Sequence, residues 1–228
     1  MVMSDGRVSL GTFFVFSGLG LLLILRGQPN DAYAGILVFM IALLQLFEYG
    51  VWNDLSCNPG QSNTKASKGA YLLLWLMPAV LCLSGAYLGS NLVADPSSRN
   101  LLLGAGFMFF ALFLSLTSLT YADASNWCST PGSIWQPIWY FQNEKVPMRV
   151  NMMWLLGMVL PTILVDPAFL GTGTLVLAGG AYFAGRYADP LAIGEWLSVT
   201  SLLANSIAVW ALAVPRIREA IYGPGVAY

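Results

Sequence analysis

The 228-residue chain is 57% hydrophobic and 9% charged, against about 25% charged for soluble domains, so its solvent must be lipid. A net charge of −1 gives no basic field for nucleic acid. The absence of histidine removes the usual general base near neutral pH, the usual haem ligand and the commonest zinc ligand.

A spanning helix needs about 20 mostly apolar residues. Seven such stretches can be drawn, near 9–26, 33–52, 70–93, 101–121, 149–165, 168–186 and 193–214. They predict an all-α, polytopic membrane protein: one transmembrane domain over residues 1–228, built as a seven-helix bundle. Arg7 precedes the first stretch, but no small-residue cleavage site follows it, so it reads as a spanning helix and not as a removable signal. Arg26-Gly-Gln-Pro-Asn-Asp closes it with a turn.

The second stretch ends in Gln45-Leu-Phe-Glu48-Tyr49-Gly-Val-Trp52. On a helix Gln45, Glu48, Tyr49 and Trp52 fall at i, i+3, i+4 and i+7 and share one face. A carboxylate inside an apolar run is costly and is seldom kept there without a use.

The third stretch carries Pro78 and the small-residue pair Gly85 and Gly89, which allows close helix contact. The fifth and sixth are joined by Val165-Asp166-Pro167 alone and should form a tight antiparallel hairpin. The sixth is rich in glycine and should pack inside the bundle.

Seven spans put the two termini on opposite sides. The N-terminal side then holds the long connections 53–69 and 122–148. Arg7, Lys65, Lys68, Lys145, Arg149 and Arg186 lie on that side, spread over long loops, while Arg26, Arg99, Arg216 and Arg218 sit at helix ends on the other. The arrangement favours a cytoplasmic face for the second group, with the N-terminus and long loops on the non-cytoplasmic side.

The polar residues gather in the N-terminal-side leaflet. Glu48 lies about 6 Å below Trp52 at 1.5 Å per residue. Ser118 ends the fourth helix there, Arg149 and Asn151 begin the fifth, and Glu195 begins the seventh; Asn205 lies deeper. One reading is a polar pocket of Gln45, Glu48, Trp52, Ser118, Arg149, Asn151, Glu195 and Asn205 beneath a loop lid. The other is a hydrogen-bonded cluster that fixes helix register, with Glu48 neutral or paired with Arg149, and Glu195 capping its helix.

The loop 122–148 is aromatic: Trp127, Trp135, Trp139, Tyr140 and Phe141 suggest a segment in the interface or a docking surface for other membrane subunits. The three cysteines form no CxxC pair, so a structural zinc or iron–sulfur site has no ligands. Cys57 and Cys128 both lie in the long loops and are candidates for a disulfide facing an oxidising space, while Cys82 sits inside the third helix.

Gln45-x-x-Glu48-x-x-x-Trp52, Pro78, Cys128-x-x-Pro-Gly followed by Trp135 and Trp139, and Gly194-x-Trp196 together resemble a family of uncharacterised seven-helix membrane proteins of giant DNA viruses and microbial eukaryotes. The resemblance implies a seven-helix fold and brings no activity. Met77 stands where that family has glutamine before the proline, and Leu197 where a cysteine follows the last tryptophan. The bundle is also similar in shape to microbial rhodopsins. Covalent retinal is nevertheless excluded, because Lys65, Lys68 and Lys145 are all in loops and Ala204-Asn205 occupies the place of the retinal lysine.

Three functions stand from the sequence, none enzymatic, since no nucleophile–base pair can be drawn. The first is a structural or docking component surrounded by lipid. The second is a small-ligand or proton transporter or receptor-like bundle using Glu48. The third is a pigment-binding subunit with non-histidine oxygen ligands.

Overall fold

A computed structural model describes residues 6–26, 31–55, 61–88, 95–123, 127–131, 137–139 and 148–164. Within them are five helices: α1 Gly6–Arg26, α2 Asp31–Trp52, α3 Ser62–Leu88, α4 Pro96–Asp123 and α5 Met148–Leu164. Two-residue strands β1 Thr130–Pro131 and β2 Pro137–Ile138 pair antiparallel in the loop between α4 and α5, with Thr130 opposite Ile138. The first four helices are long and apolar enough to cross a membrane, the mark of an integral membrane protein. In α5 the apolar stretch is shorter, Met152–Pro161. The sixth and seventh predicted spans, and the hairpin through Asp166 and Pro167, lie outside the described residues.

Among the described helices α3 is the central one. Buried residues make up 61% of its apolar window, against 17% for α4 and 22% for α1. Apolar side chains from its neighbours enclose it: Met40 and Ile41 of α2 pack with Leu73, Leu74 and Met77, and Leu102 and Phe109 of α4 pack with Ala79, Cys82 and Ala86. α3 also begins eight residues before the predicted boundary of 70. Its first two turns, from Ser62, carry Asn63, Lys65, Ser67 and Lys68 and rise beyond the apolar stretch that hydropathy finds. Outward faces of α1 and α4 present Phe14, Leu22, Leu25, Phe107, Phe110 and Leu114, which suits hydrocarbon and not water.

α1 and α2 form a hairpin whose backbones touch. A Cβ on Gly20 would stand 2.9 Å from the Gly35 carbonyl oxygen, and one on Gly35 would stand 2.6 Å from that of Gly20, so neither position admits a side chain. This pair is the close-packing device that the sequence placed at Gly85 and Gly89. Gly85 has ordinary clearance, with its nearest neighbour Leu102 at 3.4 Å, and Gly89 lies outside the described residues. The turn between α1 and α2 is bracketed by a bidentate ion pair: Arg26 Nε donates to Asp31 Oδ2 at 2.5 Å and Nη2 to Oδ1 at 2.6 Å. Asp31 is fully buried, so the pair also satisfies an acid at the start of α2.

α3 and α5 are joined by two reciprocal repairs. A proline has no N–H, so it strips the carbonyl four residues earlier of its helical partner. In α3, Pro78 frees the carbonyl of Leu74, and Trp154 of α5 donates its indole N–H to that oxygen at 2.7 Å. In α5, Pro161 frees the carbonyl of Gly157, and the Cys82 thiol of α3 approaches it at 3.7 Å. Gly157 is needed for this fit, because a Cβ there would come within 2.5 Å of the Phe109 ring and 2.7 Å of Pro78.

If Trp154 replaces a missing helical hydrogen bond, its value depends on Pro78. Trp154→Phe should destabilise the protein by about 1–3 kcal/mol, the cost of a buried carbonyl left without a donor. In a Pro78→Ala background, where the backbone N–H at that position is restored, the same substitution should cost clearly less. Thermal unfolding of the four proteins in one detergent, read as a double-mutant cycle, checks this.

Candidate functional site

α2 presents two adjacent faces near its C-terminal end. Leu44, Phe47 and Val51 turn toward α3, where Val51 packs with Ala66, Ala70 and Trp139. Gln45, Glu48 and Trp52 lie one position further round and turn toward α1. Gly6 of α1 sits against Trp52, with a Cβ there falling 3.2 Å from the Trp52 Cβ. The Glu48 side chain is 5% exposed. The Trp52 indole Nε1 donates to Glu48 Oε1 at 3.4 Å, and the side chains of Gln45 and of buried Ser9 of α1 also hydrogen-bond to the carboxylate. Three neutral groups therefore serve the acid, and among the described residues no basic side chain forms an ion pair with it.

The predicted pocket is thus brought together only in part. Gln45, Glu48 and Trp52 meet, as their helical spacing requires. Ser118 does not join them: its hydroxyl is exposed and donates to the Ser115 carbonyl of its own helix at 2.9 Å. The side chains of Arg149 and Asn151, and both Glu195 and Asn205, lie outside the described residues. The partner that sequence reasoning missed is Ser9. It stands in the first turns of α1, and the signal for it was the antiparallel hairpin itself, which must set residue 9 beside residue 48.

The aromatic loop has a different place from the one expected. Trp127 and Trp139 are 2% and 6% exposed, packed against the chain's own helices. Trp127 meets the Tyr71 ring edge-on at a centroid distance of 5.0 Å, and Tyr71 in turn meets Trp75 at 6.1 Å. Trp139 fills the groove between α2 and α3. Trp135, Tyr140 and Phe141 lie outside the described residues.

Between the two tryptophans, Ser129 is locked to the start of α3. Asn63 Nδ2 donates to the Ser129 carbonyl at 2.8 Å, and the Ser129 N–H donates to Asn63 Oδ1 at 2.9 Å. The backbone polarity of Ser129 fixes which way the Asn63 amide points. Ser67 Oγ donates to Asn63 Oδ1 at 3.1 Å and lies 2.6 Å from Ser129 Oγ. All three residues are fully buried. The described parts of the loop, 127–131 and 137–139, cap the α2–α3 groove, on the face of α2 away from Glu48. Among the described residues the contact to Glu48 from another helix is Ser9 of α1, and most of the loop expected to form a lid lies outside the described residues.

Among the described residues there is no cluster of three or more acids, cysteines or histidines able to hold a metal ion. Cys128 is disulfide-bonded, and Cys82 is a free, buried thiol. Cys57 lies outside the described residues. No family model, curated protein or solved structure matches this chain.

Two outcomes test the cap. Asn63→Ala removes both partners of the buried Ser129 peptide groups and should cost about 1–3 kcal/mol, with earlier proteolysis between α4 and α5. With three cysteines in the chain and Cys82 free, Cys57 is the expected intrachain partner of Cys128. Peptide mapping of unreduced protein should recover the two in one cross-linked fragment, and free-thiol labelling after unfolding should find Cys82 alone.

Proposed function

We propose that this chain is a non-enzymatic, seven-helix integral membrane protein that takes up a proton or a small cationic ligand at Glu48, in the manner of a transporter or receptor-like bundle. The observation that carries this reading is a buried carboxylate held by three neutral groups. A glutamine at position 48 would fill the same space and accept the same hydrogen bonds from Ser9 and Trp52. It would do so without the cost of an acid in an apolar environment. Retaining the acid makes sense where its charge or its proton is used.

The burial of Trp127 and Trp139 in the chain's own cap weakens the alternative of docking through the aromatic loop. The orientation that fits best places the N-terminus, the cap and the Cys128 disulfide on an oxidising, non-cytoplasmic side. The Arg26–Asp31 turn then lies toward the cytoplasm.

Glu48→Gln supplies the test. Purified protein in liposomes loaded with a pH-sensitive dye should take up protons when an acid gradient is applied. The substitution should remove that uptake while leaving the melting temperature unchanged or raised, since it relieves a buried charge. Uptake equal to wild type in Glu48→Gln contradicts the reading.

A further inference from the structure

α3 and α5 run parallel, and the contacts along their seam set a common register. Trp154 stands beside Leu74, Gly157 beside Pro78, and Pro161 beside Gly85. Each helix interrupts its own hydrogen-bond ladder at its proline, between Leu74 and Pro78 in α3 and between Gly157 and Pro161 in α5. In this register the second interruption begins at the depth where the first ends.

The seam changes character at that depth. On the N-terminal side, the Trp154 indole holds the Leu74 carbonyl at 2.7 Å, a short and directional bond. At Pro78 the helices interlock, since a Cβ on Gly157 would stand 2.7 Å from the Pro78 Cβ. On the C-terminal side, the polar contact across the seam is the Cys82 thiol on the Gly157 carbonyl at 3.7 Å, and a thiol is a weak donor. A Cβ on Gly85 would still clear the Pro161 Cβ by 3.7 Å. Leu160 and Leu164 pack there on the cluster of Ala79, Cys82, Ala86 and Leu102, through apolar contacts that have no preferred direction. A carbonyl bonded to its own helix is released only by unwinding a turn. The Gly157 carbonyl is instead held by a side chain of the neighbouring helix, and rotation of one thiol releases it.

We propose that Gly157–Pro161 is a hinge in α5. The helix pivots at the Pro78–Gly157 contact, and its C-terminal arm, residues 158–164, swings away from α3 as the Cys82–Gly157 hydrogen bond releases. Prolines are where membrane helices bend, and a few residues at such a point absorb the change. The hinge goes beyond the reading of Glu48 and does not depend on it. Phe47, next to Glu48, stands beside Gly69, whereas the hinge stands beside residues 78 to 85, so the two lie at different depths. The hinge gives the chain a moving wall in the half of the bundle away from Glu48. Cys82 reports the motion, because it is a free and fully buried thiol beneath the arm.

The experiment uses full-length protein in liposomes with the native disulfide intact. N-ethylmaleimide, which crosses membranes, is added, and the rate of modification at Cys82 is followed by peptide mass. Thermal stability of each protein is measured alongside. Wild type should be modified while still folded. Pro161→Ala returns a backbone N–H to the Gly157 carbonyl and makes the arm continuous with its helix. It should slow modification by roughly three- to tenfold, the worth of one neutral hydrogen bond. If Pro161→Ala does not fold, Pro161→Leu restores the same N–H. Asn63→Ala destabilises the cap end of α3 without touching the hinge and should leave the rate unchanged. The hinge is overturned if folded wild type is not modified, or if the proline variant is modified as fast as wild type. It is also overturned if the rates in all the proteins simply follow their stabilities, since Cys82 is then reached by global unfolding.

Discussion

The constraint on which this structure depends is that hydrocarbon offers no hydrogen bonds. Each polar group taken into the bundle must find its partner inside the protein, or the fold loses several kcal/mol for it. α3 shows the consequence most fully. It is the most enclosed of the described membrane-length helices, it carries a proline in its middle, and its first turns are polar. Each of these would be a liability alone. Pro78 leaves a bare carbonyl at Leu74, and α5 must lie where Trp154 can reach it. Pro161 leaves one at Gly157, and Cys82 must face it. Asn63 and Ser67 need partners, and the loop after α4 must fold back to bring Ser129. The positions of α5 and of the cap relative to α3 are thereby specified by polar geometry, while apolar contacts supply bulk attraction without direction.

How much of this was legible in the sequence differs by element. The first four spans stand out because lipid exposure demands nearly continuous apolarity, and their ends were found to within a few residues except for α3. Its start was missed because Asn63, Ser67 and Lys68 read as loop when judged by hydropathy, yet they are helical and the first two are buried under the cap. The shared face of Gln45, Glu48 and Trp52 followed from the helical repeat. Which neighbour that face meets did not, because periodicity gives relative angle within one helix and nothing about rotation toward another. Pro78, Trp154 and Cys82 were each visible, but a pairing across 80 residues has no one-dimensional signature. The same holds for the aromatic loop. Composition cannot distinguish tryptophans offered to a partner from tryptophans buried under the chain's own backbone.

The two faces of α2 meet different neighbours among the described residues. On the α3 face, apolar packing, the Ser129 lock and the Cys128 disulfide oppose local opening. On the α1 face, one acid and one serine meet near the membrane edge.

The central claim is that Glu48 answers to α1 and not to the cap, and infrared difference spectroscopy addresses it directly. Titrating the protein in lipid should reveal a carboxyl C=O stretching band that is absent in Glu48→Gln and so belongs to Glu48. Ser9→Ala removes a hydrogen bond from that group and should move the band to higher frequency; Asn63→Ala loosens the cap and should leave it in place. A band indifferent to Ser9→Ala but displaced by Asn63→Ala would contradict the account.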